Sequence, residues 1–171
     1  MKRLSLVTIA LGLFASACGS SSTSPTTPTN PTFTATLSPA NEVPPITNAE
    51  STASGNATIT LVTTKDAAGN ITAATATFVV NLSGFPAGST VNIAHIHEGA
   101  STCACPVVVN TSLAPGEVTL VGGSASFSKG SITVAPEVAQ RLLANPGGFY
   151  FNVHTALNAG GAVRGTLTRT N

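Results

Sequence analysis

The chain has 171 residues, enough for a single domain once its ends are set aside, with 42% hydrophobic but only 8% charged residues. Seven Lys and Arg stand against six Asp and Glu, and without Lys2 and Arg3 the balance is five against six. No basic patch offers itself to nucleic acid and no acidic tail to a cationic partner, so recognition through bulk charge is excluded.

The N-terminus reads as a targeting segment over residues 1–17. Lys2 and Arg3 form a basic start and Leu4 to Ala17 an apolar run. That run is shorter than the ~20 residues a spanning helix needs, so it is expected to be a cleaved signal peptide. It ends in Ala15-Ser16-Ala17-Cys18, which resembles a bacterial lipobox. Lipidation of Cys18 is the expectation, with an ordinary secretory signal as the alternative. Residues 18–31 are almost entirely Ser, Thr, Pro, Gly and Asn after the cysteine, the composition of an extended tether. The expected address is the cell envelope, anchored to a membrane through Cys18, with the outer membrane favoured in a Gram-negative source.

The domain occupies residues 32–171. Its abundant Thr and Val, with turn residues recurring about every 8–12 positions, predict an all-β antiparallel sandwich of Greek-key type with one short helix. Phe33 to Leu37 alternates as a strand, and Pro39, Pro44 and Pro45 then forbid a regular ladder. Ala57 to Val62 and Ile71 to Leu82 read as a hairpin around Lys65 to Asn70, with Phe78, Val80 and Leu82 sharing a buried face. After the turn Gly84 to Gly88, strands are expected over Val91 to His97, Val107 to Val109, Val118 to Val121 and Ser124 to Val134. Pro136 to Asn145 is the helix, with Pro136 in its first turn and Val138, Ala139, Leu142 and Leu143 as its apolar stripe. Phe149 to Thr155 and Ala162 to Thr168 close the sheets across a turn at Asn158 to Gly161.

All three histidines fall in two of these strands. His95 and His97, at i and i+2, share a strand face. His154 has the parity of Tyr150 and Asn152, opposite to Phe149, Phe151 and Val153, and should point away from the core. Val91 and Ile93 share the parity of His95 and His97, so a bulge or twist is needed to turn those imidazoles out. If the two strands are neighbours, three imidazoles with nitrogens within about 4 Å of one another would suit copper or zinc and leave a coordination position open. The alternative is three polar strand residues bonded to loop backbone. Glu98 lies on the opposite face from the histidines. Cys103 and Cys105 are either a loop-local disulfide or a pair of soft-metal ligands. No Ser/His/Asp arrangement is present, Asp66 being the only aspartate. Glu42 is available to meet Arg164.

Asn41-Glu42-Val43-Pro44-Pro45, Ala94-His95-Ile96-His97, Asn152-Val153-His154-Thr155 and Gly161-Ala162-Val163-Arg164-Gly165, in that order and spacing, resemble the CHRD (chordin) domain family over residues 32–168. The resemblance implies an extracytoplasmic β-sandwich and says little of activity. His-x-His-Glu, the later Val-His and the Gly-rich turn with Arg are also similar to copper/zinc superoxide dismutase. That similarity would make His95, His97 and His154 copper ligands and Arg164 an anion-attracting residue. A fourth copper histidine and the zinc set are missing from the pattern. The expected function is a lipid-anchored binding or interaction module, with a protein partner in the envelope and a transition metal held by the three histidines. A copper redox enzyme and a purely structural surface domain are the alternatives.

Overall fold

Period-two alternation places Phe33, Ala35 and Leu37 on the buried face of β1 (Thr32–Leu37) and Thr34 and Thr36 on the other. The computed structural model describes residues 30–171. The expected signal peptide, the expected lipidation site Cys18 and nearly all of the expected linker lie outside those residues. The same alternation runs through β2 (Ser54–Lys65) and β3 (Ile71–Ser83), where Ala57, Ile59 and Leu61 meet Val80, Phe78 and Ala76 across the ladder. Their outward positions are mostly Thr, Ser, Asn and Val. Such residues suit a pleated, half-wetted surface and need no charge.

Two antiparallel sheets result. One has the order β10-β1-β2-β3-β7, with β7 at Ala125–Val134 and β10 at Thr168–Arg169. The other has the order β5-β4-β8-β9, formed by Val107–Asn110, Thr90–Glu98, Phe149–Thr155 and Val163–Thr166. The short β6 (Val118–Thr119) pairs with the start of β4. The core lies between the sheets, with Phe33, Ile59, Leu61 and Phe78 facing Ala94, Ile96, Phe151 and Val153. Phe78 and Phe151 stack across it at 5.8 Å.

Beyond shifts at element ends, such as β2 extending three residues further each way than Ala57 to Val62, two strands differ from the sequence expectation. The strand expected over Ala162 to Thr168 is split: β9 belongs to the second sheet and β10 to the first. Leu167, only 1% exposed, marks the crossing: its N–H still donates to the Phe149 carbonyl of β8, in the β8–β9 register, while the next two residues pair with β1. The strand expected over Val118 to Val121 stops at Thr119, because Leu120 turns into the core while Val121 is exposed. The helix is α1 (Pro136–Ala144), which buries Val138, Ala139 and Leu142. Pro39–Asn41 forms a 3-10 turn capped by the Ser38 hydroxyl, which accepts from the Ala40 N–H, where the prolines exclude a strand. Among the described residues no helix is long and apolar enough to cross a membrane.

Candidate metal centre

A bulge decides which way the histidines of β4 face. Val91, Ala94 and Ile96 are all core residues, although strict alternation would put Val91 opposite to the other two. The register against β8 shifts between Val91 and Ile93, and the extra residue reverses the parity. His95 and His97 therefore leave the core for the outer face of the second sheet. Across the ladder His95 faces Asn152, His97 faces Tyr150 and Ile93 faces His154. In β8 the core takes Phe149, Phe151 and Val153, so Tyr150, Asn152 and His154 share the outer face with the two histidines of β4. On β9, Arg164 lies beyond Asn152.

This outer face is nevertheless buried along the whole of β8. Three segments cover it, and each ties down part of the cluster. The Gly99–Pro106 loop places the Cys105 carbonyl 2.5 Å from His97 Nδ1. The turn after β8 places the Ala159 carbonyl 2.9 Å from His154 Nδ1. The segment after the 3-10 turn brings Glu42 against Arg164, whose Nε and Nη2 lie 2.7 and 2.6 Å from Glu42 Oε2. The Asn41 amide donates to the Arg164 carbonyl at 3.0 Å. The four motif stretches, far apart in the sequence, thus meet on one face of one sheet.

A carbonyl only accepts, so His97 and His154 each carry their proton on Nδ1 and present a bare Nε2. His154 Nε2 is 2.8 Å from His95 Nε2, so His95 must donate there and keeps a bare Nδ1. His95 Nδ1 and His97 Nε2 are both buried without any partner. Lone pairs left in this way cost about 1–3 kcal/mol each unless something fills them. Backbone carbonyls fixing the non-ligating nitrogen are the usual outer support of metal-bound imidazoles. One nitrogen from each of His95, His97 and His154 lies within 4.8 Å of the others. That spread is wider than the expected ~4 Å. On one tetrahedral ion the nitrogens sit about 3.3 Å apart, given 2.0–2.1 Å bonds. The His95–His154 contact is a hydrogen bond, shorter than that spacing, so an ion would spread this pair slightly and draw His97 in. An ion held by His95 and His154 would take the place of the proton the pair shares.

Burial keeps the cluster neutral. His95 is pushed down to about 3 by desolvation first, with His154 and His97 adding to it. Desolvation also lowers His97 and His154, against the opposing effect of their carbonyl partners. Neutral imidazole is the ligating form. Burial holds the Glu42 carboxyl above its ordinary range, and the Arg164 guanidinium offsets only part of this.

The remaining predicted residues fall as follows. Arg164 is 2% exposed, and besides Glu42 it donates from Nη1 to the Cys103 carbonyl at 2.8 Å. Cys103 and Cys105 are joined to each other as a disulfide. Glu98 leaves the cluster and pairs with Arg141 of α1 at 2.7 Å. Three participants were not anticipated from the sequence. Tyr150 stacks on the His97 ring at 4.5 Å and 8°, has the Arg164 guanidinium 4.9 Å from its centroid, and donates its hydroxyl to Cys103 O. Asn152 stands between His95 and Arg164 with its Oδ1 buried and unpartnered. Glu50, fully buried, accepts from the Thr155 hydroxyl and the Asn158 amide. The parity shared by Tyr150, Asn152 and His154 was a readable signal for the first two, whereas nothing local marks Glu50. Gly161, at φ +132°, is needed because a Cβ there would lie 2.5 Å from Glu42 Oε2 and 2.8 Å from Asn152 Nδ2. A shallow cleft of about 230 Å³ runs along Val43 to Asn48 with Glu42 in its wall, and the histidines do not line it.

A family model described as the CHRD domain matches residues 33–167. The chain belongs to the CHRD domain family. No curated protein and no solved structure matches it. In this CHRD domain the family match runs from Phe33 in β1 to Leu167, short of β10, and includes every residue of the histidine cluster and its covering loops.

Proposed function

We propose that this CHRD domain is an extracytoplasmic binding module that holds a transition metal, copper or zinc, through His95, His97 and His154, and is tethered to a membrane by a lipid on Cys18. The observation that carries the metal reading is the tautomer pattern. Two imidazoles are locked by carbonyls with Nε2 bare, the third shares a proton with one of them, and the cluster is buried and neutral. Three nitrogen ligands leave a position open, so a bound ion would supply a Lewis-acidic or redox-active point at which a partner's donor atom could attach. The protein's own part is to orient the rings, exclude water and hold the ligands deprotonated. A dismutase-like enzyme is less well supported, because Arg164 is consumed by Glu42 and loop carbonyls and offers no free cation to an anion.

Titration calorimetry of the domain from Thr32 onward with Cu²⁺ and with Zn²⁺ tests the reading. Stoichiometric uptake is expected, with His97→Gln and His154→Gln each weakening it by at least about 10- to 100-fold, the scale set by loss of ligand support alone. Absence of uptake of either ion at millimolar concentration would overturn it.

A further inference from the structure

The loop between His97 and β5 is closed on itself by the Cys103–Cys105 disulfide, with the two Cα atoms 5.3 Å apart. Its inner side is bonded to the ligand-bearing face. Cys105 O accepts from His97 Nδ1 at 2.5 Å, and Cys105 N–H donates to the Tyr150 hydroxyl at 3.2 Å. Cys103 O accepts from the Tyr150 hydroxyl at 2.9 Å and from Arg164 Nη1 at 2.8 Å. The disulfide itself packs on Gly99, two residues beyond His97, where a Cβ would lie 2.1 Å from Cys105 Sγ and 3.0 Å from Cys103 Sγ. Both cysteines are half-buried, while Thr102, Ala104 and Pro106 beside them are exposed. The carbonyl that sets the tautomer of His97 therefore belongs to a cross-linked residue that solvent can reach.

We propose that the Cys103–Cys105 disulfide is the positioning element for His97, so that the metal affinity of the cluster follows the thiol redox state of this loop. The affinity part rests on the metal reading above, while the orientation part does not. With the bond closed, residues 103–105 have few conformations, and the Cys105 carbonyl stays against His97 Nδ1. A dithiol reductant attacks one sulfur through its thiolate and breaks the S–S bond. The pair ends as two thiols that have taken up two electrons and two protons, and the reductant closes to its own disulfide. The freed loop regains conformational entropy, the carbonyl departs, and the His97 ring turns without a fixed partner, so its Nε2 is no longer aimed at His95 and His154.

The test uses the Cys103→Ser/Cys105→Ser double variant, which removes the cross-link without adding thiol ligands. In metal-free protein, long-range ¹H–¹⁵N NMR of the imidazoles should show His97 losing its single Nδ1–H tautomer while His154 keeps its own. Competition against a chromophoric chelator should show Cu²⁺ affinity lowered by about 10- to 100-fold. In a His97→Gln background, removing the disulfide should leave Cu²⁺ affinity unchanged. If the double variant does not fold, phosphine reduction of the folded native domain gives the same NMR readout. An unchanged His97 tautomer without the disulfide overturns the proposal. A native domain that binds no Cu²⁺ removes the metal reading alone, and the NMR result still decides the positioning role.

Discussion

Arg164 and Glu42 show how one residue pair organises the covered face. Both are almost fully buried, 2% and 3% exposed, and joined by two short contacts. Removing two charges from water is expensive, and the pair persists because each charge answers the other and the guanidinium has a further carbonyl acceptor. Breaking it is worse than replacing it. Glu42→Gln leaves a buried, unmatched guanidinium and should cost about 3–5 kcal/mol in urea unfolding. The double replacement Glu42→Leu/Arg164→Met should cost less than either single change. A Glu42→Gln variant within about 1 kcal/mol of the parent would show that water reaches the pair, since exposed ion pairs are worth no more than that.

At the level of elements, the bulge in β4 and the close approach of β9 to β1 build the site together. The bulge turns His95 and His97 out of the core. β9 can bring Arg164 to the edge of β1, with Ser38 bridged to Arg164, because Gly165 has no side chain. A Cβ at Gly165 would sit 2.1 Å from the Thr36 carbonyl oxygen and 2.8 Å from its carbon, both backbone atoms that cannot swing away. Gly165→Ala should therefore destabilise the domain by about 1–3 kcal/mol or more, the range for overpacked interiors. Gly160→Ala is the contrast: no atom lies within 4 Å of its Cβ position and its φ is not positive. It should be neutral or stabilising by up to about 1 kcal/mol through the unfolded chain. Equal thermal shifts in the two variants would contradict this account of the β1–β9 contact.

For the whole molecule, three neutral imidazoles couple folding to pH. All three have folded values below the unfolded ~6.5, so below that pH the unfolded chain binds more protons than the folded one. Stability is then full above about 6.5 and is lost as pH falls, down to about 3 for His95. Glu42, whose value is raised, acts in the opposite direction near its own range, but it is one group against three. The melting temperature of the metal-free domain should fall between pH 7 and pH 4, and His95→Phe should flatten that slope. A melting temperature rising over the same interval would refute the neutral cluster. Attachment to a membrane is the second prediction at this scale. Cys18→Ala should move the full chain from the detergent phase to the aqueous phase. Mass spectrometry should find a diacylated Cys18 at the mature N-terminus, and an unmodified Cys18 would contradict the anchor.

Sequence alone was sufficient for features that short-range patterns dictate. Period-two alternation located the strands, an apolar stripe behind a first-turn proline located α1, and parity within β8 turned His154 away from the core. Ordered motifs were enough to mark the family. Tertiary structure decided what depends on register and on loop placement. Whether His95 and His97 faced the core depended on one extra residue in β4, and local composition carries no signal for a bulge in the middle of an apolar strand. The split of the last strand depended on which sheet could pair each half, a long-range competition. Tyr150, Asn152 and Glu50 acquire their roles only when the loops fold over the outer face of the second sheet. A polar side chain on a strand face is ordinary while wetted, and becomes a matter of hydrogen-bond satisfaction only once water has been excluded from it.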